Sequence, residues 1–281
     1  MKTVQTVQSL INSQEFPIFE GMRYLIPILL AVVVLSSGCD PNDGQYSCDL
    51  DGCYEENNAQ YLTLEDCLSV CDGSMPGGCG SPVLHEGYLY STVQIGDQCW
   101  FSENCRYLPE ISTSNEISQT EPRYYVYGYE GTDVQLATSD SLYDAYGVLY
   151  NWPAVMTEDI CPSGWHIPSD NEWQDLEISL GMNESVAEEL DFRGTNEGFK
   201  MKSVSGWYNN GNGSNLSGFN ALPGGLLAEI SFYGMQLHGF WWSSTVSEDT
   251  PMTRQLVFGQ DDISRAHETR SVGMSARCLK D

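Results

Sequence analysis

The stretch "ICPSGWHIPSDNEW", Ile160 to Trp173, sets a thiol and an imidazole, Cys161 and His166, within one short segment. A cysteine served by a histidine is the arrangement of thiol nucleophiles, in which the ring takes the proton from sulfur. Two features count against that chemistry here. No glycine-rich oxyanion loop accompanies Cys161, and catalytic Cys–His partners normally lie far apart in sequence. His166 then reads as a packed or hydrogen-bonding residue between Trp165 and Ile167 rather than as a base or a metal ligand.

Other residue types that could do chemistry fall in three groups. Cys48, Cys53, Cys67 and Cys71 have C-x4-C and C-x3-C spacings. Zinc sites favour C-x2-C pairs and reduced thiols, so two disulfides are the simpler reading. The acids Asp261-Asp262 and Asp40/Asp43 could hold calcium loosely. Solvated surface carboxylates are the plainer account, and no cofactor or resident metal is expected. The aromatic residues Trp207, Tyr208, Trp241 and Trp242 offer flat faces for sugar rings. On a strand, Trp241 and Trp242 point to opposite sides, so one is core and the other is free to meet a ligand. Trp207, Tyr208 and Trp242 are the ligand-binding candidates, with plain core packing as the competing reading.

These groups must be positioned by a chain of 281 residues, long enough to bury a sizeable core. It carries 39 acidic against 12 basic residues, a formal charge of −27. Such a field excludes nucleic acid and anionic headgroups as partners. Ten cysteines point to an oxidising compartment. "MRYLIPILLAVVVLSSGC", Met22 to Cys39, has a basic residue, a short apolar run and small residues before a cysteine. That is the form of a lipoprotein signal peptide over 22–38, with Cys39 as the acylated residue and acyl chains as the membrane anchor. An ordinary cleaved signal is the alternative, because the apolar Leu35 stands four residues before the cysteine. Residues 1–21 lack a basic n-region and read as an upstream extension outside the working protein. Export and anchoring at the cell envelope, at the outer membrane or cell surface, follow as expectations.

Residues 39–79 form a disulfide-rich stalk in this reading, and 80–281 a single domain. The domain opens on a β-hairpin, with Leu89, Ser91, Val93 and Ile95 on one face and a turn at Gly96-Asp97. A long polar loop over 107–145 follows, with a short strand at Tyr124–Tyr127, then an apolar segment, Gly147 to Val155, ended by Pro153. Pro162-Ser163-Gly164 is turn chemistry. Ser169-x-x-Glu172 is a capping box, Trp173, Leu176 and Leu180 form one apolar stripe, and Gly181 stops the helix. Residues 185–190 give a second short helix. "HGFWWSST" and "TRQLVF" are neighbouring strands. Strands, then helices, then loop-connected strands make an α+β protein with an antiparallel sheet.

"VQIGDQCWFSEN", "YGVLYNW", "CPSGWHIPSDNEW", "GFNALPGG", "FWWSST" and the terminal "RCLKD", in this order, resemble the Fibrobacter succinogenes major paralogous domain over Gly80 to Asp281. The resemblance implies a C-type-lectin-like fold related to formylglycine-generating enzymes: a twisted antiparallel sheet, two helices, long loops, and first and last strands side by side. It brings no established activity. It implies a bridge between Cys161 and Cys278, like the long-range bridge of C-type-lectin-like domains. Three further cysteines remain: Cys79–Cys99 joins the stalk to the hairpin, Cys99–Cys105 is the local alternative, and one thiol is left over. Lectin-type calcium coordination lacks support, since "EPR" (Glu121 to Arg123) comes too early and "FWWSST" has no Asn-Asp. The catalytic cysteine motif of the formylglycine-generating enzymes is absent as well. The expected role is binding or adhesion at the cell surface, to a glycan or a surface protein. A structural surface protein and an oxidase are the other readings.

Overall fold

The computed structural model describes residues 78–281 in full, together with the backbone of 46–49 and 52–55. The expectations for Cys39, for the signal segment, for the upstream extension and for the bonding of Cys48, Cys53, Cys67 and Cys71 lie outside the described residues. β1 (Tyr46–Asp49) and β2 (Gly52–Glu55) pair antiparallel, with Cys48 opposite Cys53 in the backbone register.

The domain is α+β, and its strands pair antiparallel. β3 (Val83–His85) and β4 (Tyr88–Tyr90) form a hairpin. β5 (Thr92–Ile95) and β6 (Gln98–Phe101) follow at once. Ser91 therefore breaks the single strand expected there: Tyr90 is buried while Leu89 is 41% exposed. β7 (Tyr124–Tyr125) pairs with β8 (Leu149–Tyr150). β9 (Trp165–His166) and the last strand, β16 (Leu279–Lys280), complete the first four-stranded sheet in the order β5-β6-β16-β9. The second sheet runs β10-β15-β14-β13, from β10 (Asp191–Arg193), β13 (His238–Ser247), β14 (Thr250–Val257) and β15 (Ile263–His267). β11 (Leu226–Ala228) and β12 (Ser231–Tyr233) form a separate hairpin.

The helices are short. The loop expected over 107–145 contains α1 (Val134–Thr138) and α2 (Ser141–Tyr146), capped by Asp133 and Asp140. Pro153 does not end the apolar segment. It sits in the first turn of α3 (Trp152–Val155), where its missing N–H costs nothing. α4 (Asp170–Ser179) has the capping box in full, with Ser169 and Glu172 bonded reciprocally, and Gly181 follows at φ +112°. α5 (Glu184–Ala187) and α6 (Glu197–Met201) are single turns, so α4 alone among the described helices exceeds two turns.

Trp241 and Trp242 do point to opposite faces of β13, but both are fully buried. Trp242 lies in a cluster with Tyr150, Phe101, Met274 and the Cys161–Cys278 sulfurs. Trp241 lies in a second cluster with Trp100, Trp173, Phe219 and Leu256. A sheet covered on both sides has no free aromatic face, which overturns the ligand expectation for Trp242. Cys161 bonds Cys278 across 117 residues, and Cys79 bonds Cys99. Cys105 is left as a buried thiol.

The inner face of α4 also carries charge. Asp170, Trp173 and Glu177 stand at i, i+3 and i+7, so two carboxylates flank the buried indole. Arg254 of β14 spans them, with Nη1 donating to Asp170 Oδ1 at 2.7 Å and Nε donating to Glu177. Arg193 of β10 donates to Glu177, and Arg265 of β15 donates to Asp170 Oδ2 at 2.7 Å. A buried ion pair that loses one partner leaves an uncompensated charge in a poor solvent. Glu177→Ala leaves the buried Arg193 without a carboxylate and Arg254 with Asp170 alone, and is expected to cost about 3–5 kcal/mol in chemical denaturation. A loss under about 1 kcal/mol, the value of an exposed pair, would refute this account of α4 docking.

Candidate functional site

Among the described residues, the surface of the domain carries a concavity at the β3–β4 hairpin and another beside His166. The first is built from the β3–β4 hairpin and the strap that follows β6. The turn Glu86-Gly87 takes positive φ at both residues, the type I′ geometry that holds β3 and β4 in tight register. His85 and Tyr88 thereby sit opposite one another. Arg106, Tyr107 and Leu108 come from the strap, and Tyr143 from α2, closing a cavity of about 260 Å³.

Arg106 organises this cavity. Its guanidinium stacks 4.5 Å from the Tyr88 ring centroid and 5.8 Å from that of Tyr143. Nη1 and Nη2 donate to the carbonyls of Tyr143 (2.7 Å) and Asp144 (2.8 Å). Nε is buried without a hydrogen-bond partner, 3.6 Å from Glu103 Oε2. The Tyr143 hydroxyl donates back to the Arg106 carbonyl, and the Tyr88 hydroxyl donates to Glu103 Oε2 at 2.6 Å. Burial and the Glu103 hydrogen bond push the Tyr88 phenol up to about 12, and burial raises Tyr107 and Tyr143 too. All three phenols are therefore neutral hydroxyls at physiological pH. The cavity wall is made of aromatic faces with fixed polar groups at the edges, the composition of a small-molecule site.

The second cavity, about 280 Å³, is lined by Met156, Ile160, Cys161, Trp165 and His166. It gathers the residues whose spacing raised the question of a nucleophile and a base. His166 is bonded at both ring nitrogens: Nδ1 to Asp281 Oδ1 at 2.6 Å and Nε2 to Glu172 Oε1 at 2.9 Å. Cys161 is tied up in its disulfide. The sulfur that is free, Cys105, is buried outside both cavities, and burial pushes its thiol up to about 12. No activated nucleophile stands in either cavity.

The aromatic residues singled out in the sequence are not brought together. Trp207 is buried, with Nε1 donating to Ser203 Oγ and to the Ala221 carbonyl. Trp242 Nε1 donates to the Tyr150 carbonyl at 2.7 Å. Both are core indoles with satisfied N–H groups, which corrects their assignment as ligand residues. Tyr208 alone is exposed, at 56%, with its ring edge-on to Phe258. Asp261 contributes to holding the buried Lys202 (3.8 Å), and no cluster of three metal-ligating side chains occurs among the described residues. The tyrosine cavity went unforeseen because its residues come from three segments separated in sequence; the signal was the density of tyrosine around 85–150.

The model of the Fibrobacter succinogenes major domain matches residues 93–280. The chain belongs to that family. No curated protein and no solved structure matches it. In this Fibrobacter succinogenes major domain the His166 cavity lies wholly inside the matched span. The tyrosine cavity takes Arg106, Tyr107 and Tyr143 from it, while His85 and Tyr88 come from the hairpin just before.

The two bonds of His166 have a pH consequence. Burial works to lower its pKa, but the hydrogen bonds that the ring donates to Asp281 and Glu172 outweigh burial and raise it above the ordinary 6.5. The charged ring is therefore the form that folding favours. Its contribution is complete below the unfolded value and is lost as pH rises through the folded one. Glu172 is the opposite case. Burial works to raise it, but the Ser169 bonds and His166 hold it below 4.5, so its contribution fades as pH falls through that lowered value. An NMR titration of His166 is expected to run above 6.5 and to move down in Glu172→Gln. The stability gap between wild type and His166→Gln should shrink as pH rises; a constant gap would contradict the ion-pair assignment.

Proposed function

We propose that this protein is an exported, lipid-anchored binding module whose tyrosine cavity takes one sugar ring of a neutral glycan. The observation that carries the reading is the Tyr88–Arg106–Tyr107–Tyr143 wall with its neutral hydroxyls. At about 260 Å³ the cavity falls below the roughly 300–1,000 Å³ of sites for drug-sized ligands, so the ligand enters one ring at a time. Charge supports the neutral choice. Arg193, Lys202, Arg254 and Arg277 are buried, but so are Asp170, Glu177 and Glu197, so the surface carries nearly the whole formal charge of −27. That field disfavours an anionic ligand.

The C-type-lectin-like reading of the fold belongs to the same proposal. It is supported by the last strand, β16, pairing with β6 near the domain's start, and by the Cys161–Cys278 bridge beside that pair. Anchoring through Cys39 rests on the Met22–Cys39 segment.

A glycan array probed with the full-length mature protein is expected to retain neutral oligosaccharides. Tyr107→Ala should weaken that binding about tenfold or more, as loss of an aromatic anchor does, with both disulfides still formed. Retention unaffected by Tyr107→Ala would remove the cavity from the site. Capture of a surface protein with no glycan response would favour a protein ligand, and no partner of either kind would leave a structural surface protein.

A further inference from the structure

Three sulfurs meet in the core. Cys161 and Cys278 are bonded, and the Cys105 thiol sulfur lies 3.5 Å from Cys278 Sγ, in van der Waals contact with the bridge. The backbone fixes this contact. Cys105 N–H donates to the Ala276 carbonyl at 2.9 Å, and Val148 N–H donates to the Cys105 carbonyl at 3.1 Å. Phe101 N–H donates to the Cys278 carbonyl at 3.0 Å. Gly147 presses so closely on the Cys105 carbonyl that a Cβ there would stand 2.6 Å from it, and its φ of +74° suits glycine. The segment bearing the thiol is thus pinned to the segment bearing the disulfide.

The three sulfurs differ in access. Cys105 and Cys278 are sealed in the core, whereas Cys161, at 6% exposure, forms part of the wall of the His166 cavity. We propose that the bridge exchanges partners in place, making Cys161 a cryptic surface thiol and a site of covalent modification. The Cys105 sulfur attacks Cys278 Sγ. The Cys105–Cys278 bond forms as the Cys161–Cys278 bond breaks, and Cys161 departs with the electron pair. Cys161 then takes up a proton equivalent to the one Cys105 released. One thiol and one disulfide stand on each side, so no oxidant or reductant is consumed. What moves is the thiol, from a sealed core to a cavity open to small disulfides and electrophiles.

The surroundings set the rate. Attack requires a thiolate, and burial pushes the Cys105 thiol up to about 12. The titratable groups facing it are Arg277, which pulls it down, Glu103, which pushes it up, and the phenols of Tyr90 and Tyr150. Exchange is therefore slow at neutral pH, and its rate gains about tenfold per pH unit while the thiolate remains the minor form.

The full chain, purified without reductant, is held at a series of pH values from neutral to alkaline, pulsed with a maleimide, quenched in acid and mapped without reduction. The expected products are labelled Cys161 and a linked Cys105–Cys278 peptide, appearing together about tenfold faster per pH unit. Persistence of the Cys161–Cys278 peptide in every molecule across the series overturns the proposal, and this arm needs no variant to fold. In Cys105→Ser, Cys161 should stay unlabelled at each pH; labelling equal to wild type overturns it. Folded Cys161→Ser in a glutathione redox buffer should yield the Cys105–Cys278 bond, and recovery of two unpaired thiols counts against the exchange.

Discussion

Everything in the domain is arranged around a pair of carboxylates that must not be left alone. Asp170 and Glu177 face inward from α4, and neither could stay ionised in the core without a cation beside it. Arg254 reaches both, and Arg193 and Arg265 each complete one. Because the three arginines come from β10, β14 and β15, the helix has one docking position across the sheet. A slide by one turn would carry Asp170 away from Arg254 and Arg265 together. Trp173, between the two carboxylates, stays under the Arg254 guanidinium at 5.9 Å, so the apolar and ionic contacts fix the same placement. Replacing a buried ion network by an apolar core of equal volume is often neutral for stability, whereas breaking it by removing one partner is costly.

The opposite end of the chain is held by a different device. Arg277 is fully buried with no carboxylate bonded to it. It donates instead to Asn104 Oδ1 and to the carbonyls of Phe101, Phe219 and Asn220. Burial lowers its pKa to about 9, still enough to keep it charged at neutral pH. Asn104 in turn accepts from Trp241 Nε1 and donates to the Tyr146 carbonyl. Next along the chain, Cys278 and β16 complete the first sheet between β6 and β9. A sheet whose inner strand is the last of the domain cannot close until the whole domain is present. Long-range pairing of this kind makes folding slow, and the disulfide then holds the late contact in place.

The parts legible in the sequence are those with local causes. The capping box at Ser169 and Glu172, the Gly181 stop and the β5–β6 hairpin each rest on a few adjacent residues. Two other hairpin turns, Glu229-Ile230 and Glu248-Asp249, take positive φ at both positions without the Asn-Gly signal that marks such turns. Tertiary contacts override local preference there, so β11–β12 and the end of the β13–β14 ribbon were not readable at their turns. Strand alternation placed Trp241 and Trp242 on opposite faces correctly, but periodicity says nothing about whether both faces are covered. The buried acids left a faint mark, since Asp170 and Glu177 share the helical face of Trp173. Their compensating arginines lie 16 to 95 residues away. The tyrosine cavity had no signal beyond composition, because proximity of His85, Arg106 and Tyr143 is a property of the fold.

The nucleophile-and-base reading of Cys161 and His166 fails for a chemical reason that spacing does not reveal. A base needs a free lone pair. His166 has a carboxylate at each nitrogen, and both bonds favour the doubly protonated ring, which can accept nothing. The ring serves instead to tie Asp281, the residue after β16, to Glu172 in the first turn of α4. The arginine network sets α4 on the second sheet, and His166 links that helix to the last residue beyond the first. Cys161 and His166 share a cavity because both mark where the chain's end is secured. Among the described residues, the thiol that stands against this bridge is Cys105, on its core side.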